Sequence, residues 1–212
     1  MIETNNQNEV IEKNKKLVEK YPFLLPRNVW TDKLIPDYDY EFTNYDDIAI
    51  GWKIGFGEFL LEDLREALVK TNYLDKFRFT QIKEKYGSLR LYCNGCPEEV
   101  YDVLQKYEFI SEYVCIYCGS PHACVVDDYG WYLPLCNDCW DKNNKWRKEK
   151  EYKIIPYEKA VGKNICELPD NYTIERYSMG ETKKIVHDIS DTTQKIKNAY
   201  EKRKAENVSR EL

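Results

Sequence analysis

The chain has 212 residues and a mass of 25.4 kDa, long enough to bury a sizeable core in one good-sized domain or two small ones. With 42% hydrophobic residues, 33% charged residues, nine glycines and eight prolines, it fits neither a collagen-like nor a wholly disordered chain. A formal net charge of -5 argues against a broad cationic surface that grips duplex nucleic acid by its phosphates, while leaving room for a local basic patch.

Residues 8–21 place Val10, Ile11, Leu17, Val18 and Tyr21 at helical spacing ahead of Pro22, which predicts an N-terminal helix over residues 1–21. The first residues mix acids with bases and hold no uninterrupted apolar run, so no secretory signal is read and a cytoplasmic protein is expected. No stretch approaches the roughly 20 apolar residues that cross a bilayer, and no membrane partner is expected. The prolines and aromatics that follow predict an extended, ordered loop. Leu60, Leu61, Leu64, Ala67 and Leu68 then form the stripe of a second helix. Gly51, Gly55 and Gly57 ahead of it match neither phosphate-binding glycine spacing, so a glycine-assisted turn is expected there.

Phe77 and Phe79, then Leu89 and Leu91, alternate about Gly87 and predict a β-hairpin. Pro97 followed by two glutamates opens a third helix with Val100, Val103, Leu104, Tyr107 and Ile110 on one face. Together these make residues 22–114 an α+β body of helices beside short antiparallel strands. A four-cysteine zinc ribbon is expected over 115–140, a basic linker over 141–153, and a C-terminal module over 154–212. That module reads as a hairpin turning at Met179-Gly180, then a helix opened by Ser190 or Asp191.

Six of the eight cysteines fall in three C-x-x-C pairs. In Cys115-Ile-Tyr-Cys118-Gly119 and Cys136-Asn-Asp-Cys139, each turn can present two sulfurs to one tetrahedral ion, and the chain between reads as strand, turn, strand. A structural Zn2+ on Cys115, Cys118, Cys136 and Cys139 is the expected cofactor. Cys93-Asn-Gly-Cys96 has a compatible spacing to the first pair and is the competing partner for it; it also reads as a redox pair or as inert thiols. His122 is expected on the surface and Cys124 as a small buried thiol, and Cys166 has no assigned task. In a reducing compartment, thiols or metal ligands are expected and structural disulfides are not.

Gly51-Trp52, the run Gln81-Ile82-Lys83-Glu84-Lys85-Tyr86-Gly87-Ser88-Leu89-Arg90, and the Cys115–Cys118 knuckle ahead of Gly130-Trp131 and Cys136–Cys139 form one ordered pattern. Over about residues 22–140 it resembles a group of small, mostly uncharacterised proteins encoded by tailed phages and prophages, in which such a hairpin precedes a zinc ribbon. The resemblance implies a phage accessory protein acting inside a bacterium. The Cys93/Cys96 pair is not part of that pattern, which favours Cys136/Cys139 as partners of the first pair. In the shared hairpin, Lys83, Lys85 and Arg90, with Trp52 or Tyr86, form a candidate ligand site offering cations and an aromatic face to a nucleotide or phosphate. The plainer reading is a twisted hairpin with a solvated polar face.

The leading functional expectation is a non-catalytic binding protein whose partner is a host protein, such as a defence protein, or that protein's nucleotide signal. The alternative is a regulator that binds nucleic acid or polymerase through residues 140–153, where Trp140 and Trp146 interleave with Lys142, Lys145, Arg147, Lys148 and Lys150. A third reading is an enzyme with an unrecognised site; no catalytic residue is assigned.

Overall fold

The structure is a computed structural model that describes residues 2–28, 30–161, 166–178 and 181–210. It is an α+β protein with seven α-helices and three two-stranded antiparallel hairpins among those residues. The helices are α1 (Ile2–Lys20), α2 (Ile50–Trp52), α3 (Glu58–Lys70), α4 (Glu98–Ser111), α5 (Asn137–Glu149), α6 (Tyr157–Ala160) and α7 (Ser190–Arg210). The strands pair as β1 (Phe79–Lys85) with β2 (Ser88–Cys93), β3 (Ala123–Asp128) with β4 (Trp131–Cys136), and β5 (Asn171–Ser178) with β6 (Glu181–Asp188). The turn expected at Met179-Gly180 lies outside the described residues. None of the described helices is long and apolar enough to cross a membrane.

The body is built on α3 and α4. Leu60, Leu61, Leu64 and Leu68 of α3 are buried, as are Val100, Leu104, Tyr107 and Ile110 of α4, so each helix turns its apolar stripe to the same core. Lys70 in the last turn suits the α3 dipole. Two polar contacts fix the pair: Tyr107 donates to Asp63 Oδ2 at 2.7 Å, and the Lys106 ammonium reaches the same oxygen at 2.5 Å. Hairpin β1–β2 turns at Tyr86 (φ 54°) and Gly87 (φ 79°), the left-handed pair that matches strand twist in a two-residue turn. The free edge of β2 is covered by α4, whose Ser111 Oγ and Glu108 Oε1 accept from the amides of Leu89 (2.8 Å) and Leu91 (2.7 Å).

The glycine-rich entry to α3 is not a turn. Residues Lys53–Gly57 form a π-helical turn that continues α2 into α3, so Gly51, Gly55 and Gly57 lie within one helical run. The stretch expected as a basic linker is also largely helical, since α5 runs to Glu149. It packs by Trp140, which is fully buried and donates from Nε1 to Ile155 O at 2.8 Å, and by Arg147, which is 5% exposed.

Tail and body share one hydrophobic core. Leu168, Tyr172, Ile189 and Ile196 belong to the same buried cluster as the α3 and α4 leucines, and the Tyr172 ring stacks on Phe109 at 4.8 Å. Asp188 Oδ1 accepts the Ser190 amide at 2.9 Å where α7 begins. A disulfide joins Cys124 of β3 to Cys166, which corrects the expectation that neither cysteine would be bridged. Its 42-residue separation leaves no spacing signature in the sequence. An isolated bridge from Val126 to Val161 and a hydrogen bond from Tyr157 Oη to Leu135 O (2.7 Å) strap the same segment across the β3–β4 hairpin.

Candidate metal centre

The first cysteine pair sits in a knuckle between α4 and β3. The Gly119 amide donates to Cys115 O at 2.9 Å, the Cys115 amide to Ser120 O at 2.8 Å, and Gly119 leaves the turn at φ 72°. The Ile116 amide donates to Pro134 O at 2.9 Å, which ties the knuckle to β4. The second pair is carried differently: Cys136 ends β4 and caps α5, and Cys139 lies in the first helical turn. A helix N-terminus is a favourable place for thiolates, because unpaired amides and the helix dipole stabilise negative charge there. The centre is therefore half knuckle and half helix terminus, with the β3–β4 hairpin setting the distance between them.

The four sulfurs of Cys115, Cys118, Cys136 and Cys139 all lie within 4.8 Å of one another, and Cys118 Sγ is 3.6 Å from Cys136 Sγ. Four thiolates about 2.3 Å from a central ion stand about 3.8 Å apart, so the cluster has the size of a tetrahedral metal shell. Cys115, Cys136 and Cys139 are buried and Cys118 is exposed. The cluster could hold a metal ion, and the open choice between Cys93/Cys96 and Cys136/Cys139 is resolved for the latter. Hydrogen bonds from Cys118 and Cys136 pull the Cys115 thiol below the usual range. Shared hydrogen bonds with Cys115 and Cys118 push Cys136 up, while burial, with Cys115 and Cys118 nearby, pushes Cys139 up to about 12. Cys115 forms a thiolate readily in the bare cluster, and a metal must displace the protons of Cys136 and Cys139.

The helix carrying Gly51 and Gly55 docks on this knuckle. A Cβ on Gly51 would lie 2.2 Å from Cys115 O, and one on Gly55 would lie 2.6 Å from Val114 Cγ1. Spaced four residues apart, these glycines share one helical face, and their lack of side chains lets that backbone meet the knuckle backbone directly. Sequence reasoning missed this role, for which the four-residue spacing was the available signal.

The candidate ligand residues separate. Lys83, Lys85, Tyr86 and Arg90 share the β1–β2 hairpin, with Lys83 opposite Arg90 in register. Lys83 Nζ stands 5.3 Å from the Tyr92 ring centroid and Lys85 Nζ 5.4 Å from that of exposed Tyr86. Arg90 is engaged by Glu108 at 3.6 Å and Ser88 Oγ at 3.0 Å. Trp52 does not join them: it is 0% exposed, and its Nε1 donates to Ser111 O (3.1 Å) and Val114 O (3.0 Å). His122 is exposed as expected, with its ring against Tyr200.

Beyond the turn of this hairpin, where Gly87 meets Val125, a cleft of about 580 Å³ opens, lined by Tyr86, Tyr113, Tyr132, Asp127 and Lys159 among others. On the far side of the β3–β4 hairpin, Arg147 Nη2 pairs with Asp128 Oδ1 at 2.5 Å and its guanidinium lies 4.6 Å from the Trp140 ring centroid. Nearby, half-exposed Trp146 stacks on Tyr152 at 5.8 Å. Compared with protein families, curated proteins and solved structures, the chain matches none.

Proposed function

We propose that the protein is a non-catalytic binding protein assembled on one structural zinc ion, held by Cys115, Cys118, Cys136 and Cys139. The observation that carries this reading is the convergence of four sulfurs within 4.8 Å. Four thiolates complete a tetrahedral shell and leave no position for water or substrate, so the ion serves to hold the knuckle, β4 and α5 together. Zinc suits the donor set, because four soft thiolates in a tetrahedron favour it over the harder divalent ions.

The binding partner is a host component encountered in the cytoplasm of an infected bacterium, a defence protein or its nucleotide signal. The resemblance of the hairpin-and-knuckle pattern to phage-encoded proteins supports this, as does the cleft beside Tyr86, where three tyrosine rings and Lys159 offer aromatic and cationic contacts. Affinity purification of the full chain from host lysate, with calorimetry against nucleotides, tests it. The expected result is one enriched protein or one bound nucleotide, lost in Tyr86→Ala; neither partner appearing in any host would sink the reading.

A second reading, binding of single-stranded nucleic acid, draws on the exposed Trp146–Tyr152 stack flanked by Lys145, Lys148 and Lys150. Trp140 and Arg147 take no part, being buried. This reading requires tryptophan quenching by oligonucleotides that weakens steeply with salt.

A further inference from the structure

The remaining C-x-x-C pair stands apart from the metal cluster. Cys93 ends β2, Cys96 precedes the Pro97 that caps α4, and their sulfurs lie 3.7 Å apart. The turn between them is held from below. Asn94 donates its amide to Arg78 O (3.1 Å) and its Nδ2 to Lys76 O (3.0 Å), and accepts the Arg78 amide on Oδ1 (3.0 Å). From above it is open, since a Cβ on Gly95 would meet nothing within 4 Å. Both thiols line a cleft of about 400 Å³, and so does Gln105, whose buried Oε1 has no hydrogen-bond partner among the described residues. No third cysteine, histidine or carboxylate joins them in a metal-sized cluster among the described residues. The fold already holds one disulfide, at Cys124–Cys166.

We propose that Cys93 and Cys96 form a second thiol site, which passes between dithiol and intramolecular disulfide by exchange with a small-molecule disulfide of the glutathione class. The anchored turn keeps the two sulfurs adjacent, and the open side, with the cleft that both thiols line, admits the reagent. The Cys93 thiolate attacks one sulfur of the incoming disulfide, whose S–S bond breaks and releases one thiol. The Cys96 sulfur then attacks the Cys93 sulfur of the mixed disulfide, expelling the second thiol. The two protein thiols are oxidised, the small disulfide is reduced to two thiols, and the two cysteine protons pass to them. The order follows from environment: burial, with Cys93 alongside, pushes the Cys96 thiol up to about 12, so Cys96 keeps its proton while Cys93 attacks.

The test is peptide mapping of the full, metal-loaded chain after equilibration in graded mixtures of reduced and oxidised glutathione and trapping by alkylation. The expected result is a 93–96 peptide lighter by two hydrogens in the oxidising mixtures, with the metal retained. Cys96→Ser should accumulate a single glutathione adduct on Cys93, and Cys93→Ser should form its adduct on Cys96 about tenfold or more slowly. Thiols that stay open to alkylation in the most oxidising mixture overturn the proposal, as do separate glutathione adducts on both cysteines of the unmutated chain. A second metal equivalent that is lost in Cys96→Ser overturns it too, by making the pair a metal site instead.

Discussion

The Gly51 amide donates to Ile116 O at 2.9 Å, joining the start of a core helix to the middle of the cysteine knuckle. With a Cβ at Gly51 falling 2.2 Å from Cys115 O, the contact is backbone on backbone and has no slack. The four-cysteine segment is thus seated on the body of the protein at its first cysteine pair.

Gly51→Ala forces that seat apart, because the atoms it meets are main chain and cannot rotate away. A loss of about 3 kcal/mol in unfolding free energy is expected, with faster transfer of metal to a chelator. Ile50→Ala, an exposed neighbour, should change stability by about 0.5 kcal/mol or less. Denaturant melts of the two variants make the comparison, and equal stability would show that the seat does not constrain the knuckle.

Trp52→Phe removes the donor shared by two buried carbonyls, those of Ser111 and Val114, at the exit of α4 toward the knuckle. A cost of about 1–3 kcal/mol is expected in thermal or chemical unfolding. Ligand or oligonucleotide affinity of the folded variant should not move, since Trp52 has no exposed surface. Weaker binding at unchanged stability would restore Trp52 to a ligand site.

The Arg147–Asp128 pair is buried on the arginine side, so removing its partner strands a cation beneath α5. Asp128→Ala is expected to cost about 3 kcal/mol, and the double variant Asp128→Ala with Arg147→Met to recover much of it. A double-mutant cycle on melting temperature checks this. Additive single effects would mean that the pair is solvated and uncoupled.

Metal affinity should fall steeply as pH is lowered. Cys136 and Cys139 are both pushed up in the metal-free cluster and so are protonated near neutrality; metal uptake expels those two protons. The stabilisation that the ion supplies is therefore present at high pH and is lost as pH falls. Chelator competition between about pH 8 and about pH 6 should show affinity dropping about 100-fold per unit. A pH-independent affinity would mean that thiolates are not the ligands.

The metal cluster was legible because its chemistry is written in local spacing: a C-x-x-C turn presents both sulfurs wherever it lies, and only the partner pair had to be chosen. The α3, α4 and hairpin assignments held for a similar reason, since Leu60, Leu64 and Leu68 or Leu89 and Leu91 carry the period of their element. What escaped depended on contacts between distant segments. Gly51 and Gly55 read locally as breakers and become a docking face only when Cys115 and Val114 lie opposite. Trp52 and Trp140 read as candidate ligand-stacking aromatics, yet each finds a carbonyl acceptor inside the core. The α5 helix was hidden by its sparse apolar stripe, in which Arg147 takes a core position by pairing with Asp128. Cys166 offered no local cue to its bond with Cys124.

The central claim is tested most directly by native mass spectrometry of the purified chain alongside its Cys118→Ser and Cys139→Ser variants, with the metal identified by elemental analysis. The account predicts one zinc ion per unmutated chain, and weakened or absent zinc in both variants, with faster amide exchange across residues 115–139. A folded chain that carries no metal, or zinc retained with unchanged affinity in both variants, would contradict it.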